Sequence, residues 1–353
     1  MLICDRYDAT GTMKAGGMSQ AHICNDVHLN RKVVLKVLQS EQEERRLEDE
    51  KKALMLIRSN HVVQLLDIAE FESLGKNYSC LVLEYIEGKD FEEGSCEEGE
   101  LYLSYLWQVA KGLEEIHSSG LVHRDIKPDN VRLDSEGIVK IIDFGLSREV
   151  GVDNKTISAV GYYPYMAPEL LNPPVEFTAA TDVYSFGVFA LAIAPDGLPG
   201  CLTKAIGAPA PSSLVADHLN DTPVEIVEIL QRCLSSTAGD RPAMGEIVEA
   251  LERVLLAGRH MARISIGGTV SEVSQARPKA RPKISNAQGV ISQIDIEYNG
   301  FDFVVTGIIG QVDINNRKAK TGDCMPASCV LAFHHPHGQL YATFDVSNPE
   351  FIP

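Results

Sequence analysis

The stretch His123-Arg124-Asp125-Ile126-Lys127-Pro128-Asp129-Asn130, followed by Asp143-Phe144-Gly145, constrains this chain more than any other feature. Between the two motifs, Val131-Arg132-Leu133 and Val139-Lys140-Ile141-Ile142 alternate or run apolar around Ser135-Glu136-Gly137, which predicts a short hairpin. Asp125, Asn130 and Asp143 then sit on loops anchored by small strands. The carboxylate of Asp125 is placed to accept a hydroxyl proton. Asn130 and Asp143 offer hard oxygen ligands of the kind Mg²⁺ prefers as it bridges phosphates. Isolated turn residues would not supply both motifs in this order and at this spacing.

Together the motifs resemble the catalytic and metal-binding loops of eukaryotic-type (Hanks-type) serine/threonine protein kinases. The resemblance covers about residues 7 to 256. It implies an α+β, bilobal protein kinase fold over 1–256, with a β-rich N-lobe to about residue 84 and a helical C-lobe from about residue 88. The cofactors it implies are ATP and Mg²⁺, with Mn²⁺ as an alternative. In its terms Asp125 orients and deprotonates a hydroxyl, Lys127 neutralises charge on the moving phosphoryl group, and Asn130 and Asp143 hold the metal.

Upstream, Val33, Val34, Leu35 and Val37 surround Lys36 in a predicted strand, and a lysine buried there needs an anionic partner. The resemblance makes Lys36 the contact to the α- and β-phosphates and Glu50, on a helix predicted over 41–59, its ion-pair partner. Glu43, Glu48 and Asp49 compete for that role, and a solvated acidic face accounts for most of them. The phosphate-covering loop is irregular. Lys14 and Ser19 stand at two glycine positions while Gly16 and Gly17 remain, and Ala21 replaces the usual valine over adenine. Leu81 to Ile86 resembles the hinge between lobes, with Leu83 as gatekeeper and the backbones of Glu84 and Ile86 facing adenine. Asp90 completes the nucleotide set.

Leu101 to Ser119 is an amphipathic helix by period, the expected support beneath the catalytic loop. The resemblance further implies that Asp182 braces that loop from below, that Arg241 pairs with Glu169, and that Arg124 receives a phosphorylated activation segment. Thr156 and Ser158 are the acceptors in that segment. Lys127 is a serine/threonine signature, but Tyr162 stands where a threonine is usual, which keeps dual specificity open. A pseudokinase scaffold is the competing class, and the departures at Lys14, Ser19 and Tyr162 favour it. A small-molecule kinase is disfavoured by Ala167-Pro168-Glu169, part of a protein-substrate platform.

A net charge of −17 argues against a general nucleic-acid binder and favours a basic protein substrate, and the acidic run from Glu84 to Glu100 is either a solvated loop and helix start or an acidic rim at the cleft mouth. Eight scattered cysteines suit a reducing compartment. With no apolar N-terminal core and no run long enough to span a bilayer, the expectation is a cytoplasmic protein, or one delivered into a host cytosol.

Residues 257–288 are basic and poor in apolar side chains, with Ala-Arg-Pro-Lys repeated at 276–279 and 280–283, and read as a flexible linker. Ser265, Ser271, Ser274 and Ser285 make it a candidate autophosphorylation segment. From Gly289 the period becomes two around Asn299-Gly300, which predicts a small all-β domain over 289–353 that binds a partner or regulates the kinase. Cys324, Cys329, His334, His335 and His337 match no common zinc spacing and read as strand and turn residues.

Overall fold

Alternation in Val33-Val34-Leu35-Lys36 sends Val33 and Leu35 to one face of a strand and Val34 and Lys36 to the other. The structure, a computed structural model, describes residues 2–12, 20–37, 41–73, 76–144, 148–149, 155–156, 163–171, 175–204 and 209–349. The chain divides into two compact units, Met1–Leu251 and Glu252–Pro353.

In the first unit, β1 (Leu2–Ile3), β2 (Tyr7–Thr12), β3 (Gln20–Asp26), β4 (Arg31–Val37), β5 (Leu65–Ser73) and β6 (Lys76–Glu84) form an antiparallel sheet. Its order is β1-β2-β3-β4-β6-β5, and helix α1 (Glu41–Leu56) lies between β4 and β5 in sequence. Val33 and Leu35 pack with Tyr7, Cys24, Cys80 and Val82 in one apolar cluster. The opposite face carries Ala21, Lys36 and Leu81, matched in register across β3, β4 and β6. Arg6 fastens β2 to β3 through both oxygens of fully buried Asp26, at 2.9 and 2.7 Å. That bond holds the Asp26 carboxyl down at about 2 against the cost of burial.

The helical part begins after β7 (Gly88–Asp90). Helix α2 (Glu100–Ser118) buries Leu103, Leu106, Val109, Ala110, Leu113 and Ile116, the predicted face. At Gly112 a Cβ would lie 3.0–3.1 Å from Ile141 and His61, a tight contact that glycine avoids. Next come β8 (Leu121–Val122), β9 (Val131–Asp134) and β10 (Val139–Ile141), and β9 and β10 make the predicted hairpin with Val131 opposite Ile141. The Asp134 side chain accepts from the N–H groups of Glu136 and Ile138, and Gly137 takes φ 88°, which closes the turn. Short strands β11 (Arg148–Glu149), β12 (Lys155–Thr156) and β13 (Val175–Glu176) precede α3 (Ala179–Ile193). Helix α3 is buried from Thr181 to Ile193, as expected of a helix that is apolar nearly all round. After it come α4 (Gly200–Lys204), α5 (Leu214–His218), α6 (Val224–Cys233) and α7 (Met244–Leu255). Among the described residues no helix is long and apolar enough to cross a membrane.

The second unit corrects the linker. Residues 257–288 are no tether: β14 (Met261–Ile266), β15 (Thr269–Ser274), β16 (Lys279–Ala280) and β17 (Lys283–Asn286) arise within them. They join β18 (Gly289–Tyr298), β19 (Phe303–Ile309), β20 (Val312–Ile314), β21 (Arg317–Lys318), β22 (Ser328–His335) and β23 (Gly338–Val346). One sheet runs β15-β14-β23-β22-β20-β21; in the other, β18 pairs with β19 on one edge and with β16 and β17 on the other. The β domain therefore begins well before residue 289, and Ala262, Ile264, Val273 and Ala280 belong to its core. Ala262, Ile264 and Ala280 were hidden in a basic composition because Arg263, Lys279 and Arg281 alternate with them and face solvent. Both prolines of the repeat lie beside β18 and use only their carbonyls, accepting from Tyr298 and Ile294, so the missing N–H costs nothing there.

The Asn299-Gly300 turn is longer than a two-residue hairpin. Phe301 falls inside it, and the Asn299 side chain accepts from the N–H groups of Phe301 and Asp302. Cys329 points into the core, which pushes its thiol up to about 11, while His334 bonds Asp313 at 2.7 Å.

His260 lies among the rings of Tyr298, Phe301 and Phe303, and its buried Nδ1 has no hydrogen-bond partner among the described residues. Burial lowers its pKa, with the Phe301 carbonyl and the charge of Asp302 opposing. A histidine whose folded pKa is depressed gives full stability above the unfolded value of about 6.5 and loses it as pH falls through the folded one. Hydrogen-exchange protection factors of 261–346, taken against the intrinsic rate at each pH, are therefore expected to fall between pH 7.5 and 5.5 in the natural chain, and His260→Phe to flatten that dependence. An unchanged profile in the variant would assign the effect to other groups.

Candidate active site

The cleft face of the sheet needs a charge at Lys36, and the structure supplies two. The ammonium lies 2.8 Å from each oxygen of Glu50 on α1 and 2.7 Å from Oδ1 of Asp143. Burial alone would favour the neutral amine, but the two carboxylates outweigh it and hold the Lys36 pKa above the ordinary lysine value. One ammonium facing two carboxylates leaves an excess of negative charge at the site. Glu50 is buried and Asp143 is half exposed, so the excess faces the open side.

Asp143 takes φ 65° and Arg124 φ 75°, left-handed conformations that cost a non-glycine residue energy and need bracing. The brace at Arg124 is Asp182, from the first turn of α3. Its carboxylate accepts from the backbone N–H groups of His123 and Arg124, both at 2.8 Å, and from Nε2 of His117 at 2.9 Å. Burial penalises this charge, yet His117 and the other donors prevail, and the Asp182 pKa stays below the usual range. Phe144 is fully buried with its ring 4.8 Å from that of His123 in an edge contact. Burial keeps His123 neutral, with a lowered pKa. Nδ1 accepts from the N–H of Asp125, so Nε2 carries the proton toward the Ile142 carbonyl.

On the loop so fixed, Oδ2 of Asp125 accepts from Lys127 Nζ at 2.7 Å and from Asn130 Nδ2 at 2.8 Å. Asn130 Nδ2 also bonds the Asp125 carbonyl at 2.7 Å. Among the described residues neither the other Asp125 oxygen nor the Asn130 amide oxygen makes a hydrogen bond, so the first can accept from a hydroxyl and the second, a hard donor, can serve a cation. Among the described residues no group of three or more His, Cys, Asp or Glu could enclose a metal. A two-donor set of Asn130 and Asp143 still fits a magnesium ion, because Mg²⁺ keeps waters and phosphate oxygens for the rest of its octahedron.

The structure brings together Lys36, Glu50, Asp125, Lys127, Asn130 and Asp143. Ala21 stands opposite Lys36 across β3 and β4, and Leu83 and Ile86 are buried. The Glu84 side chain bonds Lys140 at 3.0 Å and the N–H of Gln64 at 2.9 Å, which fixes the segment joining the lobes. Asp90 pairs with Arg132 at 3.3 Å on β7. Gly16, Gly17, Lys14, Ser19, Ser158 and Tyr162 lie outside the described residues. Sequence reasoning missed His117 and Lys140. Neither carries a local signal, because their partners lie 65 and 56 residues away.

Arg241 forms a two-pronged bond to Glu169, 2.7 Å at each nitrogen, and also reaches the carbonyls of Ser235 and Ala180. The Arg241 side chain is fully buried. Arg241→Ala is expected to destabilise the first unit by about 3 kcal/mol, since it strands a partly buried carboxylate. Urea unfolding followed by fluorescence of Trp107, the single tryptophan, measures it. A loss below about 1 kcal/mol would mean that the pair is merely a surface contact.

A family model described as "Protein kinase domain" matches residues 7–251. A serine/threonine-protein kinase (drp72) of Corynebacterium efficiens is 34% identical over 237 residues, 64% of this chain and 44% of that protein. The serine/threonine-protein kinase PknA of Corynebacterium glutamicum is 36% identical over 185 residues, 49% of this chain and 39% of its own. The serine/threonine-protein kinase pkn2 of Myxococcus xanthus is 27% identical over 282 residues, 71% of this chain and 32% of its own. The chain thus spans less than half the length of these relatives, and the family match ends at residue 251, leaving the β unit outside it.

Proposed function

The chain belongs to the protein kinase family, and on that premise we propose that it transfers the γ-phosphate of ATP to serine or threonine hydroxyls of a protein substrate. The observation that carries this reading is the Lys36 ammonium shared by Glu50 and Asp143, beside an Asp125 oriented by Lys127 and Asn130. Asp125 orients the acceptor hydroxyl and takes its proton. Lys127 neutralises charge on the transferred group, and Lys36 positions the α- and β-phosphates. Asn130 and Asp143 hold Mg²⁺ (Mn²⁺ in its place), which when bound neutralises the phosphate oxygens. Ala21, Leu83 and the backbones of Glu84 and Ile86 enclose adenine, with Gly16 and Gly17 over the phosphates and Asp90 at the rim. The names of the relatives and the presence of Lys127 favour Ser/Thr acceptors. Autophosphorylation is part of the reading, on the activation segment or within 257–288.

The test is incubation of the full chain with ATP and Mg²⁺ beside an Asp143→Ala control, with new phosphates mapped by mass spectrometry. Phosphoserine or phosphothreonine absent from the control supports a Ser/Thr kinase. Phosphotyrosine at Tyr162 or Tyr163 would instead make the enzyme dual-specific. ATP binding with no transfer to any acceptor would replace the reading with a pseudokinase scaffold.

A further inference from the structure

The basic segment expected to be a tether runs along the edge of a sheet through two short strands, β16 and β17, with its cations exposed, and that changes what it can do. Arg277, Lys279, Arg281 and Lys283 are all exposed, whereas Ala280 and Pro282 between them are buried. At roughly 3.3 Å per residue the cations stand about 7 Å apart in a row. Ser285 closes the row. It is exposed, it follows a register shift between Ile284 and Ser285, and it precedes the exposed hairpin tip Asn286-Ala287-Gln288-Gly289. The row is held loosely. Lys279 meets Glu297 at 3.2 Å and Arg281 meets Asp295 at 3.8 Å, and exposed pairs of this kind contribute little.

We propose that Ser285 of one copy is a phosphoacceptor for the kinase unit of a second copy, selected by the cation row on its N-terminal side. The proposal rests on the kinase reading above and names the substrate class of that site: an extended basic segment. The complementary charge is on the kinase unit, which carries −18 against +1 on the second unit. Asp129 is exposed next to Asn130, and Glu87, Asp90, Glu92 and Glu93 are exposed on the segment leaving β6. In the transfer, Ser285 Oγ forms a bond to the γ-phosphorus of ATP as the bond from that phosphorus to the β,γ-bridging oxygen breaks. The hydroxyl proton passes to Asp125 and on to solvent, and ADP leaves. The product places about two negative charges at the end of the cation row.

The other hydroxyls of the second unit fit less well. Ser265 lies on β14, which is paired on both sides, and Ser271 is half buried and precedes Glu272. Thr321 is the informative contrast. It is exposed and follows Arg317, Lys318 and Lys320, but it sits in a closed turn. There Asp323 N bonds the Lys320 carbonyl, and Gly322 N bonds the Val305 carbonyl. Charge alone would choose Thr321 as readily as Ser285; an extended row chooses Ser285.

To test this, full-length chain made inactive by Asp143→Ala and labelled with heavy nitrogen is mixed with wild-type chain, ATP and Mg²⁺. Phosphates on the heavy chain are mapped over time. An unrelated serine peptide rich in Arg and Lys, assayed in parallel, reports turnover. The expected result is phosphate on Ser285 of the heavy chain well ahead of Thr321. Lys283→Glu in the heavy chain is expected to slow that transfer roughly tenfold through like-charge repulsion, with unchanged hydrogen exchange across β18 showing that the sheet is intact. If the peptide is phosphorylated but Ser285 is not, or if Lys283→Glu leaves its rate unchanged, the inference fails and the kinase reading stands. If neither chain nor peptide is phosphorylated, the reading itself fails.

Discussion

Asp143→Ala is expected to lower phosphoryl transfer by about a thousandfold or more while ATP still binds. The variant removes the half-exposed carboxylate that faces the open side of the site and leaves the Lys36–Glu50 pair intact at 2.8 Å. The loss should therefore fall on turnover rather than on nucleotide affinity. Asp143→Asn sharpens the test, because it keeps the shape and an oxygen for Lys36 but removes the charge. If charge is what the site needs, the asparagine variant is nearly as inactive as the alanine one. Single-turnover transfer and ATP titration on the same preparations separate the two quantities. Retention of more than a tenth of wild-type turnover by either variant would remove Asp143 from the metal-holding role.

The second large effect falls on stability. Asp182→Ala deletes a fully buried carboxylate that three donors share, and leaves the N–H groups of His123 and Arg124 without their acceptor. Each stranded buried donor costs about 1–3 kcal/mol, so a total near 4 kcal/mol is expected, a large part of a domain's usual margin. Arg124 would also lose the bond that holds its left-handed backbone, so surviving protein should be slow as well as unstable. Asp182→Asn keeps one oxygen but turns an amide toward a donor, and an intermediate loss is expected. The pH dependence has a defined sign. Because the folded pKa of Asp182 is depressed, its contribution is complete above about pH 4 and disappears only as pH falls through the folded value. Urea melts at pH 7 followed at Trp107 give the size. A loss under about 1 kcal/mol would show that water replaces the carboxylate.

Much of the first unit could be read along the chain because its chemistry is written in short, ordered motifs. The β9–β10 hairpin, the buried face of α2, the pairing of Lys36 with Glu50 and that of Arg241 with Glu169 all stand as expected. Glu50 could be selected from its acidic neighbours only through the family's spacing, since α1 alone offers several carboxylates. The linker was misread for a physical reason. A solvated basic tail and short edge strands with exposed cations have the same composition, and only the burial of Ala280 and Pro282 separates them.

By itself, the sequence named the groups to which the proposed chemistry is assigned: a carboxylate at Asp125, oxygen donors at Asn130 and Asp143, and a lysine that had to find an anion. These follow from side-chain type and local order. Tertiary structure decided who holds those groups in place. His117 reaches Asp182, Lys140 reaches Glu84, and strands from 261–286 complete a β core, through contacts between residues far apart in the chain. Such contacts form only where folding brings distant partners within hydrogen-bonding or packing range, and no local pattern records that distance.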